Sequence, residues 1–294
     1  MRMNKGKNKQ ISTMVIFMLP ALLLLLAFWF IPMIVSLFIS FTDWDYISPK
    51  FSFVGLENYT SLVTDKEFYK VIINTLSFVV FTVLPTMIIG LTLALALNKK
   101  IAGSTIYKAI IFSPWVTPMV AVSIVWSWIF QPDVGLLNSF LSALGIHKID
   151  WLGSSSWAMP AVIIVTVWKG IGWVMIFYLE ALQRVPADLY ESASIDGAPK
   201  WRRFRYVTLP MISPTTFFLI IVTTIDALQA YDQIQVLTQG GPAGSTRTLL
   251  YMYYQLAFEQ FNMGQATAVS TLLVLITALL STVQFLASKR WVHY

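Results

Sequence analysis

Six long stretches of this 294-residue chain contain no Asp, Glu, Lys or Arg: 10–42, 71–98, 109–132, 151–168, 206–225 and 260–288. An uncharged apolar run of about 18 residues or more is long enough to cross a bilayer as a helix. The reading is therefore an all-α polytopic membrane protein with six transmembrane helices, near 13–40, 71–97, 106–130, 158–180, 211–233 and 265–288. Only 12% of the residues are charged, against about 25% in a soluble domain. The first run is too long for a secretory h-region and has no small-residue cleavage site after it, so it reads as an uncleaved span. Pro20 and Pro32 fall inside it as possible kinks. There is no cysteine, and His147 and His293 lie in a loop and at the C-terminus, so no metal site is expected.

Basic residues set the expected orientation. An even number of spans puts both termini on one side. That side, with the loops at 98–105 and 181–210, holds thirteen of the twenty lysines and arginines, Lys100 among them, and the opposite side holds five. Lys108 and Lys169 lie near or within spans. The richer side is expected to be cytoplasmic, so the net charge of +6 reflects topology and calls for no nucleic acid. The expected organisation is a basic cytoplasmic tail at 1–12, a first helix with an external loop at 13–70, a core at 71–288 and a cytoplasmic C-terminus at 289–294. Trp151 and Trp157, in the external loop at 131–157, fit interfacial anchors.

The loop at 181–210 is longer than a connector between spans needs to be. Pro186 and Asp188 suit a first helical turn. Gly197 is placed to end that helix in a left-handed conformation. Pro199 then starts a second short helix with Trp201, Phe204 and Thr208 on one face and Arg202, Arg203 and Arg205 on the remainder, amphipathic and basic. An interfacial connector is one reading. A dock for a cytoplasmic protein is the other.

The residues of this loop resemble the signature of bacterial ABC importer membrane subunits, in which Glu-Ala-Ala is followed by Asp-Gly-Ala and then Leu-Pro. Here it reads Glu191-Ser192-Ala193, Asp196-Gly197-Ala198 and Leu209-Pro210, with Ser192 in place of the usual Ala. More specifically, the chain resembles the carbohydrate branch, the maltose-transporter-like permeases. Phe53-Val54-Gly55-Leu56-Glu57-Asn58-Tyr59, Leu237-Thr238-Gln239-Gly240-Gly241-Pro242, Tyr253-Tyr254-Gln255-Leu256-Ala257-Phe258 and Phe261-Asn262-Met263-Gly264-Gln265-Ala266 match in order along nearly the whole chain.

The resemblance implies a type I ABC importer permease fold, with helices around a midplane cavity and a cytoplasmic coupling helix. It implies a second homologous permease subunit, two ATPase subunits, an external solute-binding protein, a carbohydrate substrate and a bacterial cytoplasmic membrane. No Walker A sequence is present, so ATP and Mg are expected on the partner ATPase, with no cofactor in this chain. The chain is expected to be a transport subunit and not an enzyme. Glu191, Ser192, Ala193, Asp196, Gly197 and Ala198 would form the ATPase coupling element. Its small residues would allow close approach, and Glu191 and Asp196 would pair with basic groups of the ATPase or with the loop's own arginines.

Ionisable groups inside a membrane cost several kcal/mol unless paired or hydrated, which makes them functional candidates. Three qualify: Lys169, Glu180 and Asp226. Glu180 lies near a span end and reads as structural. Lys169 and Asp226 either face a wet cavity or form an ion pair. The resemblance carries sugar-lining roles onto Trp115, onto Thr166, Lys169 and Gly170, and onto Thr223, Asp226, Ala227 and Ala230, with Gln229 adjacent. An indole can stack on a pyranose, and the polar groups can bond its hydroxyls. Trp115 read as a packing aromatic is the plainer alternative. The function implied is ATP-driven import of an oligosaccharide or related sugar by alternating access. The alternatives are an ion-coupled secondary transporter, with Lys169 and Asp226 as its ion site, and an importer of a sugar-phosphate or polyol-phosphate.

Overall fold

The computed structural model describes Met14, Val15 and residues 17–99 and 103–292. The expected basic tail at 1–12, Lys100 and His293 lie outside the described residues. In chain order the helices are α1 (Phe17–Ile39), α2 (Glu57–Thr64), α3 (Lys66–Leu97), α4 (Ser104–Val116) and α5 (Met119–Ile129). Next come α6 (Leu136–Ala143), α7 (Ala158–Gln183), α8 (Ala187–Ile195) and α9 (Lys200–Met211). The last are α10 (Ser213–Leu228), α11 (Asp232–Leu237), α12 (Leu249–Tyr254) and α13 (Met263–Ser288). Among the described residues the only β pairing is an isolated bridge between Thr42 and Phe53.

Helices α1, α3, α7 and α13 are each long and apolar enough to cross a membrane unbroken. Two further spans are bent pairs, α4 with α5 at 101° and α9 with α10 at 65°. Counting each pair once gives the six expected spans; the third is broken inside the expected 106–130, whereas the second bend, at Ile212, falls at the expected start of the fifth, after the short helix expected from Pro199. The first break has a local cause. Proline excludes the helical region for the residue before it, and Thr117, just ahead of Pro118, is extended at φ −74°, ψ 136°. In the second pair Pro214 lies in the first turn of α10, where its missing N–H costs nothing. Two other prolines are absorbed without a break. A π turn at Leu26–Phe30 precedes Pro32, and another at Phe204–Thr208 precedes Pro210. The widened turn relieves the clash between a proline ring and the carbonyl four residues back.

The described residues form two compact units, residues up to 64 with 253–272, and residues 65–252 with 273–292. In the first unit, no residue of the most apolar window of α1 is buried. The turn after α1 is clamped by residues of the recognised motifs. Asn58 donates to the Ser40 and Thr42 carbonyls at 2.9 and 2.8 Å, Ser40 and Tyr59 share a 2.6 Å hydroxyl bond, and the Gly264 N–H reaches the Trp44 carbonyl at 3.0 Å.

The second unit is built on α3 and α7, which pack along each other, with α4 against α7 and α10 against α3. Phe78, Val165, Met175, Tyr178 and Leu219 are buried there. Helices α4 and α7 approach closely because position 172 is glycine: a Cβ there would lie 2.2 Å from the Ile111 carbonyl oxygen. The loop at 131–157 folds around buried Asn138. Its amide donates to the Pro132 and Ile149 carbonyls and accepts from the Ile149 N–H and the Trp151 indole. Trp151 is therefore a buried part of that loop and not the interfacial anchor expected of it, whereas Trp157 is exposed. The Gly-Gly-Pro loop contains a cis Gly241-Pro242 bond and is held by α3. Lys70 donates to the Ala243 carbonyl at 2.6 Å, and Asn74 donates to the Gly244 and Arg247 carbonyls at 2.9 and 3.1 Å.

Candidate functional site

One face of α7 carries Thr166, Lys169, Gly170 and Trp173, spaced three and four residues apart as a helix face requires. Thr223, Asp226 and Ala227 do the same on α10. Helix α10 ends at Leu228, and Gln229, Ala230 and Tyr231 lead into α11. Trp115 ends one residue short of the α4 terminus, just before the Pro118 break. These elements surround one cavity of about 480 Å³ within the second unit. All nine positions singled out in the sequence line it: Trp115, Thr166, Lys169, Gly170, Thr223, Asp226, Ala227, Gln229 and Ala230.

The two charges do not pair. No Lys169–Asp226 salt bridge occurs among the described residues. The Lys169 Nζ donates instead to the Trp115 carbonyl at 2.8 Å and the Pro114 carbonyl at 3.2 Å, and lies 5.2 Å from the centre of the Trp115 ring. Asp226 makes no hydrogen bond or ion pair among the described residues, so its carboxylate is an open acceptor in the cavity wall. Glu180 pairs with Arg184 one turn away on an exposed surface, in line with a structural role. Trp115 stacks on Trp173 with centroids 5.3 Å apart and planes at 23°, leaving the indole half-exposed.

The cavity also has walls that the sequence reading left out: Thr82, Val83 and Thr86 on α3, with Met119, Trp173, Tyr231, Asp232 and Gln233. Thr82 and Thr86 are four residues apart in an apolar helix, a hydroxyl stripe visible in the sequence. Trp173 continues the Lys169 face by one turn. Met119 gave no signal, because it reaches the cavity through a break that the apolar run conceals. Buried Gln233 sits 3.5 Å from the Thr166 hydroxyl. Among the titratable lining groups there is one base, Lys169, and there are two acids, Asp226 and Asp232.

The elbow at 187–211 is ordered by its own bonds. Gly197 is left-handed at φ +69°. The Ala198 N–H reaches the Ala193 carbonyl at 2.9 Å and the Gly197 N–H reaches the Ser194 carbonyl at 3.1 Å, the pairing that closes a helix C-terminus. Tyr190 and Thr208 hydroxyls meet at 3.0 Å, and Arg203 donates to the Ser194 hydroxyl at 2.7 Å, tying α8 to α9. Glu191, Ser192, Asp196 and Gly197 are exposed, while Ala193 and Ala198 are half-buried. Glu191 and Asp196 form no ion pair with the loop's own arginines among the described residues. Ile195, next to Asp196, is 87% exposed. The face expected of Trp201, Phe204 and Thr208 is divided: Thr208 is buried against Tyr190, and Trp201 is exposed.

Comparison with known proteins bears on both features. Residues 86–292 match the family model described as "Binding-protein-dependent transport system inner membrane component". The chain is 38% identical over 280 residues to the lactose transport system permease protein LacF of Rhizobium radiobacter, covering 93% of each chain. It is 34% identical over 277 residues to the trehalose/maltose transport system permease protein MalF of Thermococcus litoralis, again covering 93% of each. A chain of the bacterial alginate ABC transporter, solved in complex with alginate pentasaccharide-bound periplasmic protein, has the same fold. It superposes with a TM-score of 0.84 at 24% identity, over 97% of this chain and 96% of that one.

Proposed function

The chain belongs to the family of binding-protein-dependent transport system inner membrane components, and from that premise we propose that it forms part of the pathway by which an ATP-driven ABC importer takes up a neutral oligosaccharide. It is a transport subunit with the type I ABC importer permease fold, and not itself an enzyme. The observation that carries the substrate reading is the gathering of Trp115, Thr166, Thr223, Asp226 and Gln229 around one cavity of about 480 Å³. A half-exposed indole offers a stacking platform, and the hydroxyls, amide and open carboxylate suit sugar hydroxyls. Named relatives that transport lactose and trehalose or maltose support the same class.

The cavity's charges argue against the phosphorylated alternative. Its lining contains two carboxylates, and its only lysine is already bonded to backbone carbonyls. A phosphate would face like charge where it needs several donors.

In this proposal the elbow lies in the cytoplasm with both termini and docks on an ATPase subunit through Glu191, Ser192, Ala193, Asp196, Gly197 and Ala198. A second permease completes the pathway, two ATPase subunits bind ATP and Mg, and an external solute-binding protein delivers the sugar. The test is uptake by proteoliposomes holding the whole importer. Uptake should require ATP and the loaded binding protein, and Trp115→Ala should slow it by roughly tenfold, the scale of one lost aromatic platform. A cognate binding protein that takes no carbohydrate would remove the sugar assignment. Uptake that outlasts ATP depletion and collapses with an ionophore would favour ion coupling.

A further inference from the structure

The α4 terminus poses a bonding problem that the sequence of α7 answers. In an unbroken helix the Pro114 carbonyl would accept from the N–H of residue 118, which is proline and has none. The Trp115 carbonyl would accept from Met119, which lies beyond a 101° bend. The Pro114 carbonyl accepts instead from the Thr117 N–H at 3.3 Å, and the Trp115 carbonyl ends inside a membrane-embedded unit, where unpaired backbone is costly. The Lys169 Nζ bonds both, at 3.2 and 2.8 Å, and its charge sits at the negative end of the α4 dipole. The same ammonium lies 5.2 Å from the Trp115 ring centre, and the ring is stacked from the other helix by Trp173.

We infer that Lys169 is a positioning residue: it caps the broken end of α4 and so holds the Trp115 indole against the cavity, acting on the substrate through Trp115. The inference rests on the reading of the cavity as the sugar site. It changes the role of Lys169 from a substrate ligand to the support of one.

The test is a double-mutant cycle in the complete importer reconstituted in liposomes, with uptake of the radiolabelled sugar carried by the binding protein. Lys169→Met and Trp115→Ala should each lower uptake on the order of tenfold, the scale of a charge-assisted hydrogen bond. The double variant should be no slower than the slower single. Lys169→Arg, which keeps the donors, should recover most of the loss. The chain has no cysteine, so Thr117→Cys reports on the break itself, read by mass on this chain. Its alkylation should rise several-fold in Lys169→Met and stay near the parent rate in Lys169→Arg. Losses that multiply, or alkylation unchanged by Lys169→Met, overturn the inference and leave the sugar site standing. If Trp115→Ala leaves uptake unchanged, the sugar site falls and this inference with it.

Discussion

Replacing Gly197 tests whether the shape of the elbow's backbone is what a docking ATPase subunit engages. Gly197 is held at φ +69°, and the two bonds that close α8 depend on that conformation. A Cβ at this position would meet nothing within 4 Å, so Gly197→Ala introduces no clash within the permease. What remains is the cost of a left-handed L-residue, about 1–2 kcal/mol. If the ATPase binds only the closed elbow, that cost should lower its affinity and the coupled uptake by roughly 5–30-fold. Asn tolerates the left-handed region better than other side chains. Gly197→Asn, although larger, should therefore lose less than Gly197→Ala, and Gly197→Val should lose most. The assay is titration of ATPase subunits onto the purified permease pair, with amide hydrogen exchange at Gly197 and Ala198 followed in the same variants. A loss that rises with side-chain volume, Asn being worse than Ala, would refute the backbone argument. So would wild-type exchange and affinity in Gly197→Ala.

Three further outcomes are expected. Asn138→Leu leaves the Pro132 and Ile149 carbonyls and the Trp151 indole N–H without their partner. At about 1–3 kcal/mol for each buried group left unpaired, it should lower the thermal midpoint strongly and red-shift Trp151 emission. Asp226→Asn keeps an acceptor but loses the charge, so the sugar KM of the importer should rise by about fivefold, from roughly 1 kcal/mol of hydrogen-bond strength. Asp226→Leu should cost more. In the loop at 45–48 the Ser48 hydroxyl, then the Ser48 and Ile47 N–H groups, bond the Asp45 carboxylate and hold its pKa below the ordinary 3.8. A lowered folded value means that the turn is favoured above the ordinary carboxylate pKa and loses that support as pH falls through the lowered one. The Ser48 amide shift in a pH titration should follow that sign, and an unchanged shift down to the acid limit would count against it.

Much of the architecture can be read from charge spacing. The uncharged runs located α1, α3, α7 and α13, and the Pro186, Gly197 and Pro199 punctuation located α8 and its left-handed end. The resemblance, and not periodicity, singled out Thr166, Lys169 and Gly170, which α7 carries on one face. The break between α4 and α5 was not legible, because hydropathy integrates over a run and is blind to direction: Pro118 turns α4 from α5 by 101° without a single charge. The partner of Lys169 was hidden for the same reason. Its bonds are to backbone carbonyls freed by that break, and only the folded chain brings them within reach. Trp151 was misread because interfacial tryptophans and buried ones share a sequence context, and the difference lies in Asn138, thirteen residues earlier.

The contrast between α7 and the α4–α5 pair has a mechanical consequence. A continuous helix transmits a push along its axis, whereas a joint converts it into rotation. From Gln183, next to the elbow, α7 runs unbroken past Lys169, about 21 Å at 1.5 Å per residue. A displacement of the elbow along α7 would therefore reach the α7 wall of the cavity with little loss of stroke. The α4–α5 pair is instead bent by 101° at Thr117 beside that wall, and Lys169 joins α7 to the bent end of α4 there. If the elbow drives α7, an unbroken wall would move beside a bent one, so the two sides of the cavity would travel unequally rather than as one block.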